Sequence, residues 1–88
     1  MSEYWRLIYD AEAKRIELEF TMTDGKVYKG IPGNIVLMES DDGKEYEDCT
    51  LNERGTEKPL VAISLDDVVS VRRLDQPDTV IYAPKIAA

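Results

Sequence analysis

The sequence predicts a mainly β, small antiparallel domain in the form of a partly open or closed barrel. One segment alternates apolar and polar residues with a period of two, turn residues punctuate the chain at short intervals, and the chain is too short for more than one core. Ile16, Leu18, Phe20 and Met22 alternate with Glu17, Glu19, Thr21 and Thr23, which buries one face of a strand and wets the other, the habit of antiparallel sheets. Asp24-Gly25, Pro32-Gly33, Asp42-Gly43 and Gln76-Pro77-Asp78 supply the turns. At 88 residues residues 1–88 form one domain, because smaller pieces would bury too little apolar surface to offset chain entropy. A small sheet solves its edge problem by curling towards closure.

Taken in chain order, residues 4–14 admit two readings. Trp5, Leu7 and Tyr9 alternate as a strand does, while Trp5, Ile8, Tyr9, Ala13 and Ile16 share a helical face with Ser2 as N-cap. The aromatic and branched residues at 4–9 favour a hairpin, with 10–14 as its loop and a short N-terminal helix as the alternative. Residues 15–23 are the clearest strand, and Asp24-Gly25 turns it into a hairpin with 27–31. Residues 31–34 read as a second turn or a sharp strand bend, followed by the apolar run Ile35-Val36-Leu37-Met38. Residues 41–43 turn the chain into 44–51, whose charge on both faces implies an exposed edge or a protruding hairpin.

A polar loop over 52–58 leads to 60–65, a continuous apolar run expected to be the most central strand. Asp66-Asp67 leaves room for a single 3₁₀ turn before a β-branched strand at 68–73. Residues 79–83 add a last strand, and 84–88 are a frayed tail. The expected core gathers Ile16, Leu18, Phe20, Val61, Ile63 and Val69.

Composition narrows the chemistry. The chain contains no histidine and one cysteine, which removes the Ser-His-Asp and Cys-His arrangements and the usual zinc and iron-sulfur sites. Cys49 lies among Glu45, Glu47 and Asp48, whose charge disfavours a thiolate, so it reads as structural. Glu39, Asp41, Asp42, Glu45 and Glu47 crowd together without the register of an EF-hand loop and read as a solvated acidic turn. Scattered glycines form no phosphate loop, and a domain this small cannot easily hold two carboxylates across a cleft with separated pKa values. The expectation is a non-enzyme with no metal, no cofactor and no catalytic residues.

Eleven basic residues stand against eighteen acidic ones, a net charge of −7. That excess repels polyphosphate and anionic lipid. No apolar run is long enough to span a bilayer and no signal peptide is evident at the start. With its lone cysteine, the chain is expected in the cytoplasm. The leading expectation for function is a non-catalytic module that docks a protein with a basic surface through Glu39, Asp41, Asp42, Glu45, Glu47, Asp66 and Asp67. The alternative is RNA binding through a local patch of Lys26, Tyr28, Lys29, Arg72 and Arg73, although Arg72 and Arg73 point to opposite faces of a strand. Self-assembly as a homo-oligomer, in the manner of phage or microcompartment components, is a third.

Two stretches carry a family resemblance. Residues 20–30 give a strand, an Asp-Gly turn and a bent strand, and Val61-Ala62-Ile63-Ser64-Leu65-Asp66-Asp67-Val68-Val69-Ser70-Val71 gives two strands joined by a short turn. Together they resemble the Sm-like small β-barrels, a fold in the SH3/Sm-like class. RNA-binding Sm proteins carry an Asp and a Met-Asn pair after the bent strand and a basic-Gly element before the last, where this chain has Ile35-Val36-Leu37-Met38 and Leu65-Asp66-Asp67. The resemblance therefore carries over no RNA pocket. Asp24-Gly25-Lys26, Leu65-Asp66-Asp67-Val68-Val69-Ser70 and Gln76-Pro77-Asp78-Thr79-Val80-Ile81 also resemble the Rho-binding antiterminators, acidic bacterial Sm-like proteins that block RNA loading onto the termination factor Rho. That likeness implies a regulator of a nucleic-acid-handling machine, but the cysteine-bearing N-terminal helix of that family is not evident in residues 4–14.

Overall fold

A computed structural model describes residues 3–53 and 58–83. The chain opens with a helix, α1 (Glu3–Lys14), so the hairpin reading of residues 4–14 is overturned. The deciding residues are Tyr4, Ile8 and Ala11, which are buried at helical spacing. Tyr9, central to the strand reading, is 42% exposed, and Ala13 is exposed. The segment expected as a loop, Asp10-Ala11-Glu12-Ala13-Lys14, is made of strong helix formers from Ala11 onward. Burying each large apolar side chain of the inner face contributes about 1.5–3 kcal/mol.

The helix stops at Arg15, whose φ of 56° is left-handed, and the Ile16 N–H donates to the Ala11 carbonyl at 2.9 Å. This six-residue closure satisfies an orphan carbonyl at the helix end. It also delays the first strand, β1 (Leu18–Met22), where Leu18, Phe20 and Met22 are buried and Glu19 and Thr21 face outward. The Asp-Gly turn forms as expected. Gly25 takes φ 88°, the Met22 N–H donates to the Lys26 carbonyl at 2.8 Å, and the Asp24 carboxylate accepts from the Lys26 N–H at 2.9 Å.

The next strand, β2 (Val27–Glu39), is continuous, so residues 31–34 bend the strand rather than end it. Its pairing with β3 (Glu45–Asn52) shifts register between Pro32 and Ile35, a bulge that turns the strand from one half of the sheet into the other. Gly30 permits a close approach there, since a Cβ at that position would lie 2.8 Å from Leu51 Cβ. After β3 come β4 (Pro59–Ser64), a 3₁₀ turn (Leu65–Asp67), β5 (Val68–Arg73) and β6 (Val80–Tyr82).

The six strands form one antiparallel sheet in the order β4-β3-β2-β1-β5-β6, which does not close. The apolar run at 60–65 is thus an edge strand and not the central one. Ile63 and Leu65 are buried, but Leu60 is 57% exposed and Ala62 is exposed. A continuous apolar run marks a central strand only when both sheet faces are covered, and here Leu60 falls in a register shift opposite Leu51 and Asn52.

The expected core is corrected at Val69. Between Thr21 and Met22 the β1–β5 register shifts, so Val71 lies opposite Phe20 while Val68 lies opposite Met22. Val68 and Val71 are buried and Val69 is only half-buried, because the bulge changes which residues face inward. Leu18, Phe20 and Ile63 are core residues as expected, while Ile16 and Val61 pack at its margin. The core fills the space between α1 and the curved sheet, with Tyr4, Ile8, Phe20 and Leu51 among its largest members. The tail at 84–88 and residues 54–57 of the polar loop lie outside the described residues.

Candidate acidic docking site

The site grows from a mismatch in strand length. Pairing of β3 with β4 begins at Asp48 opposite Ser64, whereas pairing with β2 continues to Glu39 opposite Glu45. The distal hairpin therefore projects beyond the sheet as a two-stranded arm, as expected for the first part of 44–51, whereas from Asp48 onward β3 lies between β2 and β4 with Cys49 and Leu51 buried, which overturns the exposed-edge reading there.

The arm is closed by a turn that uses its own acidic residue. Gly43 takes φ 83°, the Ser40 N–H donates to the Lys44 carbonyl, and the Gly43 N–H donates to the Ser40 carbonyl, both at 2.9 Å. The Asp42 carboxylate accepts from the Ser40 hydroxyl and from the Lys44 N–H. These hydrogen bonds, the Ser40 one foremost, hold its carboxyl below the usual carboxylate range. Asp42 thus shapes the turn, while Asp41 stands exposed beside it.

The other acidic candidates converge from two segments. Glu39 lies directly opposite Glu45, and like charges in that position are destabilising. Glu45 and Tyr46 also line one depression with Ser40, Lys44, Ser64, Asp66 and Asp67, so the arm and the 3₁₀ turn bring three acidic residues and one lysine to the same place. Glu47 and Asp66 both act on the Tyr4 phenol, whose pKa is raised first by burial and further by Cys49 and these carboxylates.

Sequence reasoning missed the exposed apolar residues of the arm, Leu37 on the face of Glu45 and Glu47, Val36 and Met38 on the opposite one. Val36 is 47%, Leu37 62% and Met38 40% exposed. Opposite them across the ladder stand Asp48, Glu47 and Tyr46. The signal was present in the segment they pair with, since Glu47 and Asp48 carry charge on both faces there and favour a solvated arm.

The basic candidates are divided between the two faces of the sheet. Lys29, Glu19 and Arg72 form one row across β2, β1 and β5 on the outer face, whereas Tyr28 and Arg73 stand in register with the inward-facing Phe20 and Leu18. Each cation also has a carboxylate beside it. Arg72 Nε donates to Glu19 Oε1 at 2.8 Å, and Lys29 Nζ lies 3.7 Å from the other Glu19 oxygen. Arg73 donates two hydrogen bonds to Asp75, at 2.8 and 2.7 Å, and Lys26 Nζ lies 4.0 Å from Asp24.

Cys49 is buried among core residues, and burial pushes its thiol up to about 12. Such a group is inert as a nucleophile at neutral pH. Among the described residues no helix is long and apolar enough to cross a membrane. Comparison with protein-family models, with curated proteins and with solved structures finds no match.

Proposed function

We propose that this domain is a non-catalytic interaction module that docks a protein with a basic surface through the projecting arm and the neighbouring 3₁₀ turn. The observation that carries the reading is the convergence of Glu45 from the arm with Asp66 and Asp67 from the turn around one depression, three acidic residues against Lys44. The opposition of Glu39 and Glu45 supports it, because a cationic partner relieves a repulsion that the free domain bears. Exposed Leu37, on the same face of the arm as Glu45 and Glu47, adds apolar surface that a docked protein would cover. The carboxylates beside Lys26, Lys29, Arg72 and Arg73 weigh against a phosphate backbone as ligand.

The finer reading takes the resemblance to the Sm-like barrels and the Rho-binding antiterminators as a guide to the partner: a protein whose basic surface handles nucleic acid. The N-terminal helix that this likeness calls for is present in α1, although the cysteine lies instead in β3. The test is capture from a nuclease-treated lysate with the wild-type domain and with the triple variant Asp41→Lys, Glu45→Lys, Asp66→Lys, which leaves the Asp42 turn intact. The expected result is a nuclease-resistant, salt-sensitive complex that the variant loses while keeping its fold. Equal retention by both proteins would remove the reading.

A further inference from the structure

The 3₁₀ turn that carries Asp66 and Asp67 is fixed from outside. It is three residues long, a length at which helical hydrogen bonding is poor, and Ser64 before it makes no side-chain capping hydrogen bond. Leu65 and the following Val68 are buried in the core, and the Thr23 N–H donates to the Asp67 carbonyl at 2.8 Å. From the first turn of α1 the Tyr4 hydroxyl donates to the Leu65 carbonyl. The charges of Asp66 and Glu47 act on the same phenol, so the helix end, the turn and the base of the arm are electrostatic neighbours.

Of these anchors Tyr4 stands on the element most easily released. Helix α1 joins no strand ladder, and its inner face of Tyr4, Ile8 and Ala11 holds it to the sheet by packing. A helix of 12 residues is marginal in water, so α1 does not keep its helical form once it leaves the core. Its release takes away the Tyr4 donor and opens the core in which Leu65 is packed. From this arrangement we infer that α1 regulates the acidic site: docked, it holds Asp66 and Asp67 beside Glu45, and its release and the loss of that arrangement are one event. By linkage, a cationic partner bound across Glu45, Asp66 and Asp67 stabilises the docked helix, and whatever detaches the helix weakens the partner's hold. The inference rests on the docking reading above and adds the regulation of that site.

The test uses the whole wild-type domain, with an oligolysine peptide as the cationic probe and amide hydrogen exchange followed by NMR. Without peptide, across a denaturant series, the α1 amides from Leu7 to Lys14 and those of Asp66, Asp67 and Val68 should share one opening. That opening should lie at a lower free energy than the opening of the β1–β2 ladder. With peptide at about ten times its dissociation constant, exchange of the α1 amides should slow about tenfold. The slowing should vanish in the double variant Asp66→Asn, Asp67→Asn. Opening of α1 that leaves the turn amides protected overturns the regulation, and so does a single global opening shared with the ladder. Peptide binding that leaves α1 exchange unchanged overturns it too, and in these three cases the docking reading stands. Equal slowing in the double variant places its cause outside the turn and likewise overturns the regulation. Absence of peptide binding removes the docking reading and, with no ligand at the site, the regulation as well.

Discussion

The Tyr4 hydroxyl donates to the Leu65 carbonyl oxygen at 3.1 Å within the buried interior. This contact ties the first turn of α1 to the 3₁₀ turn at the other end of the sequence, next to the acidic depression. Removing the donor by Tyr4→Phe leaves a buried carbonyl short of a partner. The expected loss is about 1–2 kcal/mol in denaturant unfolding, with the fold retained. A neutral result would mean that the helix is held by its apolar face alone.

Cys49 predicts an alkaline loss of stability. Its folded pKa is raised to about 12 by burial, above the ordinary thiol value of the unfolded chain. Its contribution is complete below the unfolded value and declines as pH rises through the interval up to the folded one. At most this amounts to about 1.4 kcal/mol per pH unit. Cys49→Ala should show a shallower decline over that interval in chemical-denaturation titrations. In the wild type, thiol reagents at pH 8 should react only at the rate at which the core opens.

Gly30 and Gly25 should fail for different reasons. A Cβ at Gly30 meets Leu51 Cβ at 2.8 Å and the Asn52 carbonyl at 3.1 Å, whereas at Gly25 nothing lies within 4 Å but φ is 88°. Gly30→Ala should cost about 1–3 kcal/mol through overpacking at the β2–β3 crossing. Gly25→Ala should cost about 1 kcal/mol through backbone strain, and Gly25→Asn less, because Asn tolerates the left-handed region. Thermal melts of the three variants separate the two causes.

Glu19 sits between Lys29 and Arg72 with its side chain 14% exposed. Glu19→Gln should destabilise by about 1–2 kcal/mol, since both cations lose a charged partner. If pairing is what keeps this row from holding nucleic acid, the variant should bind single-stranded RNA more tightly than the wild type, whose titration at low salt should stay flat. Strong wild-type binding would favour the RNA alternative.

Salt should separate the two halves of the acidic arm. Complex formation that depends on Glu45, Asp66 and Asp67 should weaken as ionic strength rises, because exposed charges are screened beyond about 10 Å at 0.1 M salt. Leu37→Ser should reduce affinity with little change in that salt slope, as Leu37 is 62% exposed and offers apolar area only. Affinity titrations of the captured partner across a salt series give both quantities.

What local chemistry settles was legible in the residues themselves. The turns at Asp24-Gly25 and Asp42-Gly43 need left-handed glycine and have it, at φ 88° and 83°. The alternation over 18–22 sets one face of β1, and Leu65-Asp66-Asp67 leaves room for nothing longer than a 3₁₀ turn. Each of these depends on neighbours within a few positions, so the sequence alone determined a small antiparallel sheet with these corners and an acidic tip.

Partners far apart along the chain decided the rest. Residues 4–14 became a helix because Tyr4, Ile8 and Ala11 find a buried surface on strands that come later in the chain. Val68 replaced Val69 in the core because a bulge shifted the β1–β5 register. The run at 60–65 went to an edge because periodicity says which face of a strand is apolar and nothing about which strand lies beside it. The β3–β4 register, with Asp48 opposite Ser64, brought Glu45 to the side of Asp66 and Asp67, since carboxylates separated this far in sequence meet through strand order and register.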